Sequence, residues 1–262
     1  MGLEKLYNYF MDEPCPETRE WVFVYTPLPI LLITAGYLYF ILHAGPNYMK
    51  NRPPYKLRTF ILIYDTIQIL ANLWFIKRHM DAGWLSAVTK FRITDCGLSL
   101  KTLLPFDPNF IDDVWWGLML KLFDYIETCV FVLRKKQKQV SGLHIFHHVS
   151  NVTFVWYSLK YFLDVRVSYI SLLNCIAHVI MYIYYFIAAW SPNLQQMISP
   201  LKPYVTRIQM VQFILMIVPL MQFPYCDGPK GMAILFIINL VVFLYLFYDF
   251  YKKTYTSKQK SD

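Results

Sequence analysis

Three imidazoles crowd one short stretch of this chain. His144, His147 and His148 lie within five residues of one another, and the chain has six histidines in all. On a helix, positions i, i+3 and i+4 share a face, so this spacing predicts three imidazoles directed at one spot. The residues that follow, 149–162, are apolar enough to carry the same helix through a membrane. Ionisable side chains at membrane depth are costly and usually line an interior or a wet cavity, which makes this box the first candidate for chemistry. Imidazoles so placed can hold a metal or do covalent chemistry themselves.

Other stretches carry polar groups at helical spacing inside apolar surroundings. Lys121 and Asp124 are three apart, Asp124 and Thr128 four apart, and Glu127 lies on an adjoining face. An ion pair that locks helix packing and a direct ligand contact are equally good readings of them. Further on, Asn174, His178, Tyr182 and Tyr185 recur on one side of a helix. A lone histidine on an apolar helix is commonly a satisfied core residue, but here it is aligned with Asn and Tyr and has the three-histidine box to face. Thr206, Gln209 and Gln212 follow at i, i+3 and i+6, where packing between helices explains them equally well.

The elements that must position these groups follow from composition. The chain is 56% hydrophobic and 18% aromatic, with a mean hydropathy of +0.35. Charged residues make up 16%, against about 25% in soluble domains. That is the composition of a polytopic, all-α membrane protein, read as one integral domain over residues 1–262. A span needs about 20 mainly apolar residues. Segments 27–43, 60–76, 114–133, 143–161, 167–189, 205–223 and 232–251 qualify, which predicts seven transmembrane helices. Gly45, Pro46, Pro53 and Pro54 read as a helix-breaking connection after the first.

Loop charge sets the orientation. Counting Arg207 at the start of the sixth segment, fourteen of the 25 Lys and Arg residues fall in or beside the first, third and fifth connections and the tail. The positive-inside rule places those in the cytosol, with residues 1–26 lumenal and the tail 252–262 cytosolic. The acidic start has no basic n-region, so it does not read as a signal peptide. A net charge of +8 could suggest nucleic acid. The basic residues sit between apolar runs, however, which argues for membrane-edge placement and an anionic ligand instead. The five cysteines show no C-x-x-C spacing, so no zinc site is expected. Asn151-Val152-Thr153 matches a glycosylation sequon but lies within an expected span, and is discounted.

Taken together, the motifs Lys121-x-x-Asp124-x-x-Glu127-Thr128, Phe131-Val132-Leu133-Arg134-Lys135-Lys136, His144-x-x-His147-His148, His178-x-x-Met181-Tyr182-x-Tyr184-Tyr185 and Thr206-x-x-Gln209-x-x-Gln212-Phe213 resemble the very-long-chain fatty acid elongase family. The order and spacing match over nearly the whole chain. One departure stands out: the family usually has Glu at position 124 and Asp at 127, so the two acids are exchanged here. The resemblance implies a 3-oxoacyl-CoA synthase that joins an acyl-CoA to malonyl-CoA, releasing CO2 and CoA. It implies a seven-helix bundle in the endoplasmic reticulum membrane, six helices enclosing a tunnel for the acyl chain. No cofactor is expected beyond the CoA thioesters. Expected partners are the lipid bilayer, the reductases and dehydratase of the elongation cycle and a second copy of the chain, with no nucleic acid.

On this reading His147 is the catalytic nucleophile and His178 its positioning or proton-handling partner, while His144 and His148 orient the site. No Cys or Ser stands beside the box in a nucleophile arrangement, and a neutral imidazole has a free lone pair. Attack on the thioester would give an acyl-imidazole, which the malonyl enolate then takes up in a ping-pong cycle. A metal held by the box would instead make all three histidines ligands. Substrate binding is assigned to Lys121, Asp124, Glu127, Arg134, Lys136, Gln139, Asn174, Tyr182, Tyr184, Lys202, Thr206 and Gln209. Cys96 and Cys226 fall in lumenal connections, where disulfides persist, and are expected to pair, with Cys15 as the rival partner. Lys258 and Lys260 form a Lys-x-Lys-x-x ending that reads as a retrieval address for the endoplasmic reticulum.

Two alternatives share some of these features. A membrane di-iron desaturase or hydroxylase also uses His-x-x-His-His boxes, but two irons need about eight or more imidazoles and this chain has six histidines. A seven-helix receptor or transporter would fit the topology, with the embedded charges serving a proton path.

Overall fold

The computed structural model describes residues 15–83, 110–161, 165–221 and 230–256. Among these residues all regular structure is helical. The elements in chain order are α1 (Leu28–Tyr39), a π-helical turn (Phe40–Ala44), α2 (Gly45–Met49), α3 (Arg58–Asp81), α4 (Phe110–Phe123), α5 (Tyr125–Leu133), α6 (Gly142–Tyr161), α7 (Val165–Trp190), α8 (Pro192–Ile198), α9 (Lys202–Leu220) and α10 (Lys230–Tyr251). Four stretches are long and apolar enough to cross a membrane: Leu28–Met49, Arg58–Asp81, Val167–Trp190 and Ile234–Thr256. Much of their apolar surface faces outward, as in Leu31, Leu32, Leu70 and Val241. That is the surface a bilayer solvates at no cost.

The described residues fall into two compact units. The first takes residues 15–58 and 111–161 and holds α1, α2, α4, α5 and α6. In it the expected break at Gly45-Pro46 is absent. Phe40–Ala44 widens into a π turn and Gly45 donates its backbone N–H to the Phe40 carbonyl, so the helical path continues to Met49. Pro46 sits in the first turn of the new α segment, where its missing N–H does no harm. The expected span 114–133 likewise consists of two helices, α4 and α5, meeting at Asp124, where a tight bond from Glu127 N to Asp124 O closes the turn. α5 ends with Lys135 in the left-handed region (φ 54°). Lys135 N bonds Val132 O and Lys136 N bonds Phe131 O, a Schellman ending that satisfies the last carbonyls.

The segment before α1 clamps the far end of α6. Trp156 Nε1 donates to Phe23 O at 2.9 Å, Cys15 N to Lys160 O at 2.8 Å, and Thr18 Oγ1 to Leu159 O. At the near end Ser141 caps α6, with His144 N donating to Ser141 Oγ at 3.2 Å. The box therefore occupies the first two turns of a helix pinned at both ends.

The second unit takes residues 59–83, 165–221 and 230–256 and holds α3, α7, α8, α9 and α10. Phe213 packs against Phe243 and Phe247, with ring centroids 5.5 and 5.2 Å apart, tying α9 to α10. Ser191 caps α8 through Leu194 N.

Candidate active site

In the first unit, α5 and α6 place an acid and a hydroxyl against the histidine box. Thr128 Oγ1 lies 2.9 Å from His144 Nε2, and Tyr37 OH donates to Thr128 Oγ1 at 3.0 Å. His148 Nε2 stands 3.9 Å from Glu127 Oε2, an ion pair whenever the imidazole is protonated. The His144 and His148 rings meet edge-on at 4.3 Å, and Tyr125 meets His148 the same way at 6.5 Å. Tyr125 itself stacks flat on Tyr37, centroids 4.0 Å apart, and its hydroxyl lies 3.0 Å from Thr34 Oγ1. One more ring, Phe131, covers His144.

His147 behaves differently. Its ring lies 5.4 Å from that of His148, but Asn151 Nδ2, one turn along the same helix, sits 3.0 Å from His147 Nε2. The expected convergence of three imidazoles thus separates into a pair that faces α5 and a third held from its own helix. Helical geometry permits the split. A step of four residues returns almost to the starting direction, whereas a step of three falls short of it on the other side.

Lys121 Nζ lies 3.3 Å from Asp124 Oδ2, with side chains 11% and 2% exposed. Burial of both partners makes this a structural ion pair as well as a candidate ligand group. Arg134 is half-buried at the end of α5, and Lys136 and Gln139 are exposed on the turn that leads into α6. Glu127, His144 and His148 each offer one donor atom within 4.8 Å of the others, and so could hold a metal ion. This differs from the expectation for a metal-bound box, because the group takes two of the three box histidines and an acid, and His147 is not a member.

The remaining sequence-derived candidates lie in the second unit. His178 Nδ1 is 2.8 Å from the Asn174 carbonyl, and its ring packs on Tyr182, which is 1% exposed. Tyr182 in turn meets Tyr185 and Tyr64 edge-on. Tyr184 is half-buried and Lys202 is exposed at the start of α9. Thr206 donates to Lys202 O at 3.4 Å, and Gln209 Nε2 reaches Met181 Sδ at 3.2 Å. The first stays within α9, and the second joins α9 to α7. Cys96, Cys226, Lys258 and Lys260 lie outside the described residues.

Several site residues were not singled out from sequence. Thr34, Tyr37 and Tyr125 are remote in the chain or read as ordinary aromatics. Asn151 belongs to the sequon discounted for lying within an expected span. On α3, Asp65, Gln68, Asn72 and His79 are all buried, with Asn72 Nδ2 donating to Gln68 O at 2.8 Å. Their spacing of three, four and seven residues inside an apolar span was the signal available for that row.

The profile of the GNS1/SUR4 (ELO) family matches residues 22–262. A very long chain fatty acid elongase of Aedes aegypti is 31% identical over 262 residues, 98% of this chain and 72% of that protein. Very long chain fatty acid elongase 7 of Drosophila melanogaster is 31% identical over 94% of this chain and 74% of its own length. Very long chain fatty acid elongase 4 of Homo sapiens is 33% identical, over 98% and 80% respectively.

Proposed function

This chain belongs to the GNS1/SUR4 (ELO) family and is a condensing enzyme of fatty acid elongation, and we propose that it works through an acyl-imidazole on His147. The observation that carries the choice of residue is the partition of the box. His144 Nε2 is engaged by Thr128 and His148 faces Glu127, whereas His147 Nε2 faces a neutral amide on its own helix. A nitrogen that must attack a thioester and later release the acyl group is best held by a group that neither protonates it nor blocks it with charge.

The acyl-CoA thioester gives its acyl group to His147 and leaves as CoA. Malonyl-CoA then loses CO2, and its enolate takes the acyl group to give the 3-oxoacyl-CoA. His144 and His148 hold the site through α5, and His178 is a second catalytic imidazole, its Nδ1 held by the Asn174 carbonyl. Arg134, Lys136, Gln139 and Lys202 offer cationic and amide groups for the anionic CoA head. Lys121, Asp124, Glu127, Asn174, Tyr182, Tyr184, Thr206 and Gln209 complete the substrate contacts. Seven spans with an apolar acyl tunnel belong to the same proposal, in a single integral domain of the endoplasmic reticulum membrane. So do a lumenal N-terminus, a cytosolic C-terminus and a Cys96–Cys226 bridge. The enzyme needs no cofactor beyond its CoA thioesters, and it works beside the reductases and dehydratase of the cycle.

The test is half of the reaction. Purified protein given long-chain acyl-CoA without malonyl-CoA releases CoA and gains an acyl mass on the peptide containing His147. His147→Ala loses the adduct, while His144→Ala retains it at a reduced rate. An adduct that survives His147→Ala removes this residue from the role.

A further inference from the structure

Asn151 is an amide in an apolar helix, where an unsatisfied polar group is costly. Its neighbours spend their hydroxyls on the helix backbone: Ser150 Oγ donates to His147 O and Thr153 Oγ1 to Val149 O. The Asn151 amide goes instead to an imidazole, with Nδ2 3.0 Å from His147 Nε2. A side-chain N–H2 group is a donor, so Nε2 accepts, and the proton of the neutral ring resides on Nδ1. The amide is therefore parked on the lone pair that the proposed reaction uses.

We propose that Asn151 is the oxyanion donor for acyl transfer to His147. The inference rests on the reading of His147 as nucleophile and adds a catalytic residue to it. As the thioester approaches, its carbonyl carbon takes up the direction of the Nε2 lone pair. The carbon–nitrogen bond forms, the carbonyl π pair moves to oxygen, and that oxygen comes to lie two bonds from Nε2. An N–H group that was within hydrogen-bond distance of Nε2 is then within reach of the new oxyanion, and it exchanges one acceptor for the other. Collapse restores the C=O bond and breaks the C–S bond. CoA leaves as thiolate and takes the Nδ1 proton, which leaves a neutral acyl-imidazole. The same donor serves the second half, when the malonyl enolate attacks the acyl carbon and the oxyanion forms again.

A donor held next to the reacting atom has only a short way to move when the charge appears, and hydrogen bonds to a developing oxyanion are among the larger catalytic effects. The resting bond to Nε2 also stops Asn151 from turning to the helix backbone.

The experiment compares single-turnover CoA release and acylation of the His147 peptide in wild-type protein, Asn151→Leu and Asn151→Asp. Leu keeps the approximate shape and removes the amide; Asp keeps an acceptor and removes the donor. The Asp variant is assayed up to about pH 9, where an imidazole of ordinary basicity is neutral. Both variants should acylate His147 about 100-fold more slowly, as loss of one oxyanion donor does. The apparent KM for acyl-CoA should stay within about twofold, because the interaction is made in the transition state. Wild-type acylation rates in either variant overturn the proposal, as does an Asp variant that acylates normally while Leu fails, since the oxygen of the amide would then be the working atom. A slowed rate accompanied by a matching rise in KM also overturns it, because a misfolded or blocked site is then the cause. Failure of the nucleophile reading is seen separately, as a wild-type adduct on a peptide other than that of His147.

Discussion

Thr128 Oγ1 lies 2.9 Å from His144 Nε2 and accepts a hydrogen bond from the Tyr37 hydroxyl. The relay runs from α1 through α5 to α6. With Tyr37 donating to it, Thr128 keeps its own hydroxyl hydrogen and a second lone pair for its contact with Nε2. Replacement of Thr128 by Val keeps the shape and strands two polar groups, the Tyr37 hydroxyl and His144 Nε2. The expected loss is about 2–6 kcal/mol, since each orphaned buried group costs about 1–3 kcal/mol. Unfolding in detergent measures it. The acyl adduct should still map to His147, and an adduct that moves to His144 in this variant would show that the relay is what keeps His144 from reacting.

The buried pair Lys121–Asp124 separates structural from ligand roles. Removal of Lys121 alone, as Lys121→Met, leaves Asp124 uncompensated at 1% exposure, and breaking such a pair costs about 3–5 kcal/mol. The double variant Lys121→Met/Asp124→Leu removes both charges and should regain most of that stability. Activity measured on the double variant decides the rest. If it folds yet no longer binds acyl-CoA, the pair contacts substrate; if it folds and turns over, the pair is a packing device.

Gly45 tests how tightly the π turn is held. A Cβ there would stand 2.7 Å from Val132 Cγ1 and 2.8 Å from the Phe40 carbonyl oxygen. Helix propensity alone favours Ala over Gly by about 1 kcal/mol. The overlap is with a fully buried side chain and with backbone, so it should win, with a net destabilisation of about 1–3 kcal/mol. Trimming Val132 to Ala in the same protein should relieve part of the strain and not all, because the Phe40 oxygen remains. A Gly45→Ala protein as stable as wild type would mean that the turn gives way.

Metal dependence follows from the grouping of Glu127, His144 and His148. His147 lies outside that group, so acylation of His147 is expected to survive exhaustive dialysis against a chelator, with CoA release followed by a thiol assay. Loss of release that a divalent cation restores would make those three residues a metal centre that the reaction requires.

What the order of residues determines by itself is local. Apolar runs of helical length make α1, α3, α6, α7, α9 and α10 legible, and the fixed turn of a helix pairs His144 with His148 and Asn174 with His178. The motifs also identify the family, because they lie at set spacings along single helices. Continuation of the first helix through Gly45-Pro46 was not legible, since it depends on a π turn whose glycine is wedged against Val132 of α5. The Tyr37–Thr128–His144 chain of contacts was not legible either. Tyr37 and Thr128 are 91 residues apart, and nothing in local periodicity says that α1 and α5 will stack Tyr37 on Tyr125 and so bring the two hydroxyls together. The division of the box has the same origin on a smaller scale. Spacing puts three imidazoles near one face, but which of them points at α5 and which stays with Asn151 is set by the helix packed alongside, and that is a property of tertiary structure.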